Sequence, residues 1–258
     1  AVRLHIHILL PQGRKEADND SATDAWNSLS SIADLVTTDA TNRAEFLAEC
    51  RSGRFDGVVA IYRTLSSVQI TGRIDAELLD ALPSSVRYIA NCGIFSSLST
   101  HIVWLVGTDE HLGAGYDQID VDDCTAHNPR ILVSNVPTAV DDATADVNMF
   151  LILGALRNFN AGMQALREGK WRGNPPPPLG HDPEGKTLGI LGMGGIGRNL
   201  ARKARAFGMK IIYHNRRPLP AELAEPIEAE YVSFDELLAR SDVLSLNLPL
   251  NPHTRHII

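Results

Sequence analysis

The chain has 258 residues, 44% of them hydrophobic and 21% charged, with a formal net charge of -7. That length suits one large or two ordinary domains, and the balance supports a packed core. Neither nucleic acid nor an anionic membrane is an expected partner of an acidic chain with no apolar run of spanning length.

The three cysteines, Cys50, Cys92 and Cys124, lie far apart and form no C-x-x-C pair. No disulfide framework and no metal site is expected, and reducing cytoplasmic surroundings are. Residues 2–10 predict a first strand; His5 and His7 interrupt it and make it a poor signal peptide. A polar loop follows at 12–21, a short helix around Trp26 and Leu29, and a second strand from Asp34. Thr41 to Glu45 looks like an N-capped helix start, with Phe46, Leu47 and Cys50 on the apolar face. Residues 55–62 predict a strand whose C-terminal end presents Tyr62 and Arg63, the place where open α/β sheets put ligand groups. A helix at 75–82 is stopped by Pro83, and 86–91 predicts another strand. Alternating strands and helices predict a doubly wound parallel α/β sheet.

Residues 141–156 open with acidic and small side chains and become apolar nearly all round. Acids suit a helix N-terminus, and the apolar remainder predicts a helix buried between domains. The run Pro175 to Pro178 predicts a stiff extended connector, with a ligand for a proline-reading domain as the lesser alternative.

The most informative stretch comes next. Apolar residues 188–191 predict a buried strand, which breaks at Gly192-Met193-Gly194-Gly195-Ile196-Gly197 and passes into a helical pattern ending at Gly208. In this G-x-G-x-x-G, Gly192 allows the tight turn, Gly194 lets the backbone approach a diphosphate, and Gly197 allows close helix–strand packing. The helix N-terminus offers free N–H groups to phosphate. With the second strand at 210–214, this is a βαβ unit of dinucleotide-binding length. At the end of that second strand an NAD site needs an acid for the ribose 2′-hydroxyl. Here Asn215 stands there, followed by Arg216 and Arg217. An uncharged amide and two forked cations suit a 2′-phosphate, so NADP is the preferred cofactor and NAD the alternative; a solvated turn is the bland reading. Ser233 to Glu236 is a capping box, and 243–248 predicts a further strand ended by Pro249.

Several stretches together resemble the D-isomer-specific 2-hydroxyacid dehydrogenase family: residues 113–120, 135–146, 170–173, the glycine motif and 246–257. The likeness runs from about Phe55 onward and is strongest to its glyoxylate/hydroxypyruvate reductase and D-mandelate dehydrogenase branch. It implies a flavodoxin-like substrate domain at 1–136 and a Rossmann NAD(P)-binding domain at 137–258, incomplete at its C-terminus. It further implies a homodimer that reduces a small 2-oxo acid to the D-2-hydroxy acid. By position, Ala114 and Gly115 become backbone donors for the substrate carboxylate, which a tight glycine turn can provide. Arg63 becomes a substrate contact, with a surface charge as the equal alternative. Thr144 lies toward the nicotinamide, Gly195 and Ile196 hold the diphosphate, Asn215, Arg216 and Arg217 the adenosine ribose, and Leu248, Pro249 and Thr254 the adenine side.

Two departures qualify the resemblance. The arginine, glutamate and histidine that the family uses in catalysis map to no position here, and His253 and His256 fall at the adenine end as surface residues. Residues 93–112 form an insert between residues 88–92 and the glycine turn at 113. We read it as translated intron or a faulty gene model, with an adaptive lid or partner-binding loop as the alternative. An incomplete nucleotide domain would also leave an exposed sheet edge. The competing functions are a non-catalytic, corepressor-like dinucleotide module and an inactive truncated product.

Overall fold

The computed structural model describes residues 7–10, 28–64, 67–92, 115–135 and 138–258. The predicted loop at 12–21, the insert at 93–112 and Ala114 lie outside them. The chain divides into two compact units, Ala1–Ala139 with Pro249–Ile258, and Val140–Leu248. The first expected boundary, 136/137, thus falls three residues before the observed one, and the last ten residues group with the first unit.

The first unit holds a parallel five-stranded sheet in the order β2-β1-β3-β4-β5. Its strands are β1 (His7–Leu10), β2 (Asp34–Thr37), β3 (Val58–Thr64), β4 (Tyr88–Cys92) and β5 (Leu132–Ser134). Helices Arg43–Arg51, Ala76–Ala81 and Val121–Ala126 alternate with them. Each helix begins as its sequence requires: Asn42, Asp75 and Asp120 cap by accepting a backbone N–H three residues on. Phe46, Leu47 and Cys50 are buried as expected, and Phe46 packs on Phe55 with ring centroids 5.9 Å apart.

β3 starts three residues later than hydrophobicity suggests. Gly57 adopts φ +85°, and the Val58 N–H donates to Phe55 O at 3.0 Å, so the apolar start of the segment is a turn that buries Phe55 in the core. β4 is shifted likewise by a turn closed from Val86 N–H to Pro83 O.

The second unit holds a parallel four-stranded sheet in the order β8-β7-β6-β9, with β6 (Thr187–Leu191), β7 (Lys210–His214), β8 (Glu230–Tyr231) and β9 (Val243–Leu246). β6 is central and buried from Leu188 onward. Helix Gly195–Ala206 packs over it and ends where Gly208, at φ +74°, donates its N–H to Arg205 O. Helix Phe234–Arg240 starts with the full capping box between Ser233 and Glu236. The fold is parallel α/β throughout, with a Rossmann-type second unit.

Helix Asp141–Leu156 corrects one expectation. Asp141, Ala145, Met149 and Ile152 form a single buried stripe packed on helix Gly195–Ala206. Val147, Phe150 and Leu151 are 58%, 65% and 59% exposed, so the helix is not buried on every side. A helix apolar all round buries only as many faces as it has neighbours.

Candidate functional site

β6 delivers the chain into the glycine turn with its side chains locked in core on both faces. Gly192 takes φ +98°, and its N–H donates to His214 O at 3.1 Å, which ties the turn to the end of β7. The Met193 N–H donates to Asn215 Oδ1 at 2.7 Å, a second tie between the same two strand ends. Gly194 is the N-cap of helix Gly195–Ala206 and supplies no side chain to its free N–H groups. The first helical bond runs from Arg198 N–H to Gly194 O, so the N–H groups ahead of it remain outside the helix's own bonding.

Three glycines make the turn a cradle that a side chain would fill. A Cβ on Gly192 would lie 2.8 Å from Asn247 O, and one on Gly197 would lie 2.5 Å from Gly192 O. A Cβ on Gly195 would come within 1.8 Å of Asp141 Oδ2. Uncapped helix N–H groups, a positive dipole end and close backbone approach suit a diphosphate. The residues present therefore fit a dinucleotide.

Side chains unrecognised in the sequence complete this rim. Asn247 donates its backbone N–H to Leu191 O at 2.8 Å, and its carboxamide bridges Ser245 Oγ and Asn148 Nδ2. Asp141 is 4% exposed, and its Oδ1 is buried with no hydrogen-bond partner among the described residues. Burial pushes its carboxyl above the ordinary range, while the Arg198 guanidinium pulls it down. A run of acids at a helix start reads as solvated; no feature of the sequence distinguishes Asp141 from Asp142.

Beyond β7, Arg216 and Arg217 are exposed, and among the described residues neither has an ion pair. Thr144 is half-buried in the first turn of its helix, where its N–H donates to Val140 O. Leu248 is partly buried against Leu191, Ile212, Val232 and Leu237. In the other unit, the Thr254 hydroxyl donates to Pro249 O at 2.6 Å within a turn organised by Asn251. His253 and His256 are exposed. No group of three or more His, Cys, Asp or Glu among the described residues could hold a metal ion.

At the C-terminal ends of β3 and β4 a different arrangement appears. Arg63 is 2% exposed and donates inward: Nη2 to Gly72 O at 2.9 Å, Nη1 to Asn91 Oδ1 at 3.2 Å and Nε to Thr71 Oγ1 at 3.5 Å. Arg43 grips the same segment from outside, at Thr71 O and Arg73 O. Asn91, 4% exposed, donates Nδ2 to Gly115 O at 3.5 Å. Burial lowers the Arg63 guanidinium from its usual value, and Asp117 opposes that. As placed, Arg63 is buried rather than a surface charge; it braces the segment that carries Gly72 and, through Asn91, the exposed turn at Gly115.

Residues 149–258 match the family described as D-isomer specific 2-hydroxyacid dehydrogenase, NAD binding domain. The chain is 51% identical to 4-methyl-2-oxopentanoate reductase A of Aspergillus oryzae, over 92% of this chain and 64% of that protein. It is 45% identical to glyoxylate reductase 1 of Saccharomyces cerevisiae, over 97% of this chain and 66% of that protein. Among solved structures, a glyoxylate reductase from Paecilomyes thermophila superposes with a TM-score of 0.80 at 50% identity, covering 98% of this chain and 68% of that one. The chain spans 62–66% of the length of three curated relatives, these two among them.

Proposed function

Because the chain belongs to the D-isomer-specific 2-hydroxyacid dehydrogenase family and carries its NAD-binding domain, we propose that it serves the reduction of a small 2-oxo acid to the D-2-hydroxy acid. The observation that carries this reading is the glycine cradle at Gly192, Gly194, Gly195 and Gly197, where a Cβ at three of the four would strike backbone or Asp141. When bound, the reduced nicotinamide supplies the hydride equivalent for carbon 2 of the oxo acid.

The chain's own residues have distinct tasks in this proposal. Gly195 and Ile196 offer backbone N–H groups to the diphosphate at the helix N-terminus. Asn215 has its carboxamide oxygen engaged by Met193, which leaves its amide nitrogen to donate toward the ribose. The exposed Arg216 and Arg217 then favour a 2′-phosphate, and hence NADP over NAD. Leu248, Pro249 and Thr254 flank the adenine, and Thr144 lies toward the nicotinamide. Ala114 and Gly115 hold the substrate carboxylate through their N–H groups. Arg63 acts behind that turn through Asn91, because each of its three nitrogens already donates to a protein acceptor.

The substrate is of the glyoxylate or hydroxypyruvate type, as the names of the relatives suggest. The exposed Val147, Phe150 and Leu151 favour a homodimer, and the free buried Cys50 and Cys124 a cytoplasmic setting. No helix among the described residues is long and apolar enough to cross a membrane.

Glyoxylate-dependent oxidation of NADPH and NADH tests the activity on the 258-residue chain and on a chain of its relatives' full length. Turnover with NADPH preferred supports the proposal. Cofactor binding without turnover by the longer chain would refute it in favour of a non-catalytic module.

A further inference from the structure

The glycine turn contains one group that the dinucleotide reading leaves unexplained. Asp141 lies against Gly195, at the start of the helix whose free N–H groups face the proposed diphosphate. It is nine-tenths buried or more, and its Oδ1 has no hydrogen-bond partner among the described residues. A buried carboxylate oxygen without a partner is costly, and such an oxygen usually awaits a ligand or a proton.

The charges around it are accounted for. From helix Gly195–Ala206, Arg198 acts on Asp141, while Lys203 engages Asp142 and Asp146, Arg202 reaches Asn199, and Arg205 pairs with Glu228. Helix Phe159–Arg167 contributes only Arg167, in its last turn. Asp142 and Asp146, on the same helix as Asp141, are exposed and tied to Lys203. Asp141 is therefore held by one cation and two helix N-termini in favour of its charge, against burial in favour of its proton. A diphosphate arriving at Gly195 adds a like charge at close range, and the balance shifts toward the proton.

We propose that Asp141 takes up a proton when the dinucleotide seats on the glycine turn, and that its neutral carboxyl then donates a hydrogen bond to a phosphate oxygen. The proton comes from solvent, and no covalent bond other than the new O–H is formed. The inference rests on the dinucleotide reading of the same turn, which a binding measurement tests separately. It predicts that cofactor affinity falls as pH rises, over the interval between the free and bound titrations of Asp141, by at most about tenfold per pH unit.

The test is calorimetric titration of the full chain with NADPH, in buffers of different ionisation enthalpy, compared with Asp141→Asn. The wild type should take up more protons than the variant, by up to one per site. The 2′-phosphate of NADPH titrates in both proteins and cancels in the difference. The variant, which keeps a neutral donor, should bind as well as the wild type at low pH and more tightly at high pH.

Equal proton uptake with both proteins binding overturns the inference and leaves the dinucleotide reading intact. Loss of binding by a folded variant also overturns it, because a neutral donor should suffice. Binding by neither protein overturns both. Should the variant not fold, infrared difference spectra of the wild type labelled with carbon-13 aspartate give the same answer. A neutral carboxyl C=O band gained on adding NADPH supports uptake, and no such band refutes it.

Discussion

Two regions at the C-terminal ends of parallel strands solve the problem of a polar site in opposite ways. The turn after β6 is built from backbone: it exposes N–H groups by omitting side chains, and its tolerance is set by whether a Cβ fits. The brace after β3 and β4 is built from side chains, with a buried arginine donating to Gly72 O and Asn91 Oδ1. The first sacrifices conformational freedom to gain donors at a helix end. The second buries a cation that among the described residues has no bonded carboxylate, and it gathers Gly72 O, Asn91 Oδ1 and Thr71 Oγ1 around that one residue. A backbone site should thus fail by steric intrusion, and a side-chain site by loss of partners.

The sharpest break comes from Gly197→Ala. Its Cβ would sit 2.5 Å from Gly192 O, which is backbone and cannot step aside. Overpacking of this kind costs about 1–3 kcal/mol of stability. Displacing the helix N-terminus from the phosphate should weaken NADPH binding by about 100-fold or more, as expected for the loss of charge-assisted hydrogen bonds. Thermal melting and fluorescence titration would show both losses together.

Arg63→Met should reverse that pattern. It leaves Asn91 Oδ1 without its Arg63 donor and Gly72 O with only the Thr71 hydroxyl, at about 1–3 kcal/mol for a group that neither water nor another donor reaches. Chemical denaturation should register the loss, while NADPH affinity stays unchanged. A substantial loss of NADPH affinity in a folded variant would erase the distinction between the two regions.

Replacing Arg216 and Arg217 together by Ser should leave stability alone, because both are exposed. The ratio of NADPH to NADH affinity should fall by about tenfold or more, the scale of one or two charge-assisted bonds to a 2′-phosphate. An unchanged ratio would return these residues to an ordinary solvated turn.

The smallest effect concerns pH. Burial raises the folded titration of Asp141 above its ordinary value of 3.8, so the native state binds its proton more tightly than the unfolded chain does. Stability from this group is present below the ordinary value and is lost as pH rises through the raised one. Without cofactor, Asp141→Asn should melt with the wild type at low pH and above it at neutral pH. Identical melting at every pH would mean the acid is not desolvated.

Much of this was legible in residue order. Gly192 and Gly197 could be read because backbone conformation and close approach demand glycine at that spacing, and Ser233 with Glu236 because capping is local. The parallel α/β class followed from alternating patterns. The rest depended on neighbours distant in sequence. Asp141 reads as a solvated helix-start acid until Gly195 is seen beside it, 54 residues away. Arg63 could be a surface charge until Thr71, Gly72 and Asn91 close over it. Asn247 and Asn148, 99 residues apart, meet only when the strand ends and the helix are assembled. Helix Asp141–Leu156 misled because hydrophobic content does not say how many faces find partners: Phe150 and Leu151 remain exposed.

The most direct test of the central claim is titration of the 258-residue chain with NADPH and, separately, with NADH. Saturable binding that favours NADPH, and that Gly197→Ala weakens by about 100-fold or more, is the expected result. A folded chain that binds neither nucleotide would contradict the assignment of the glycine turn.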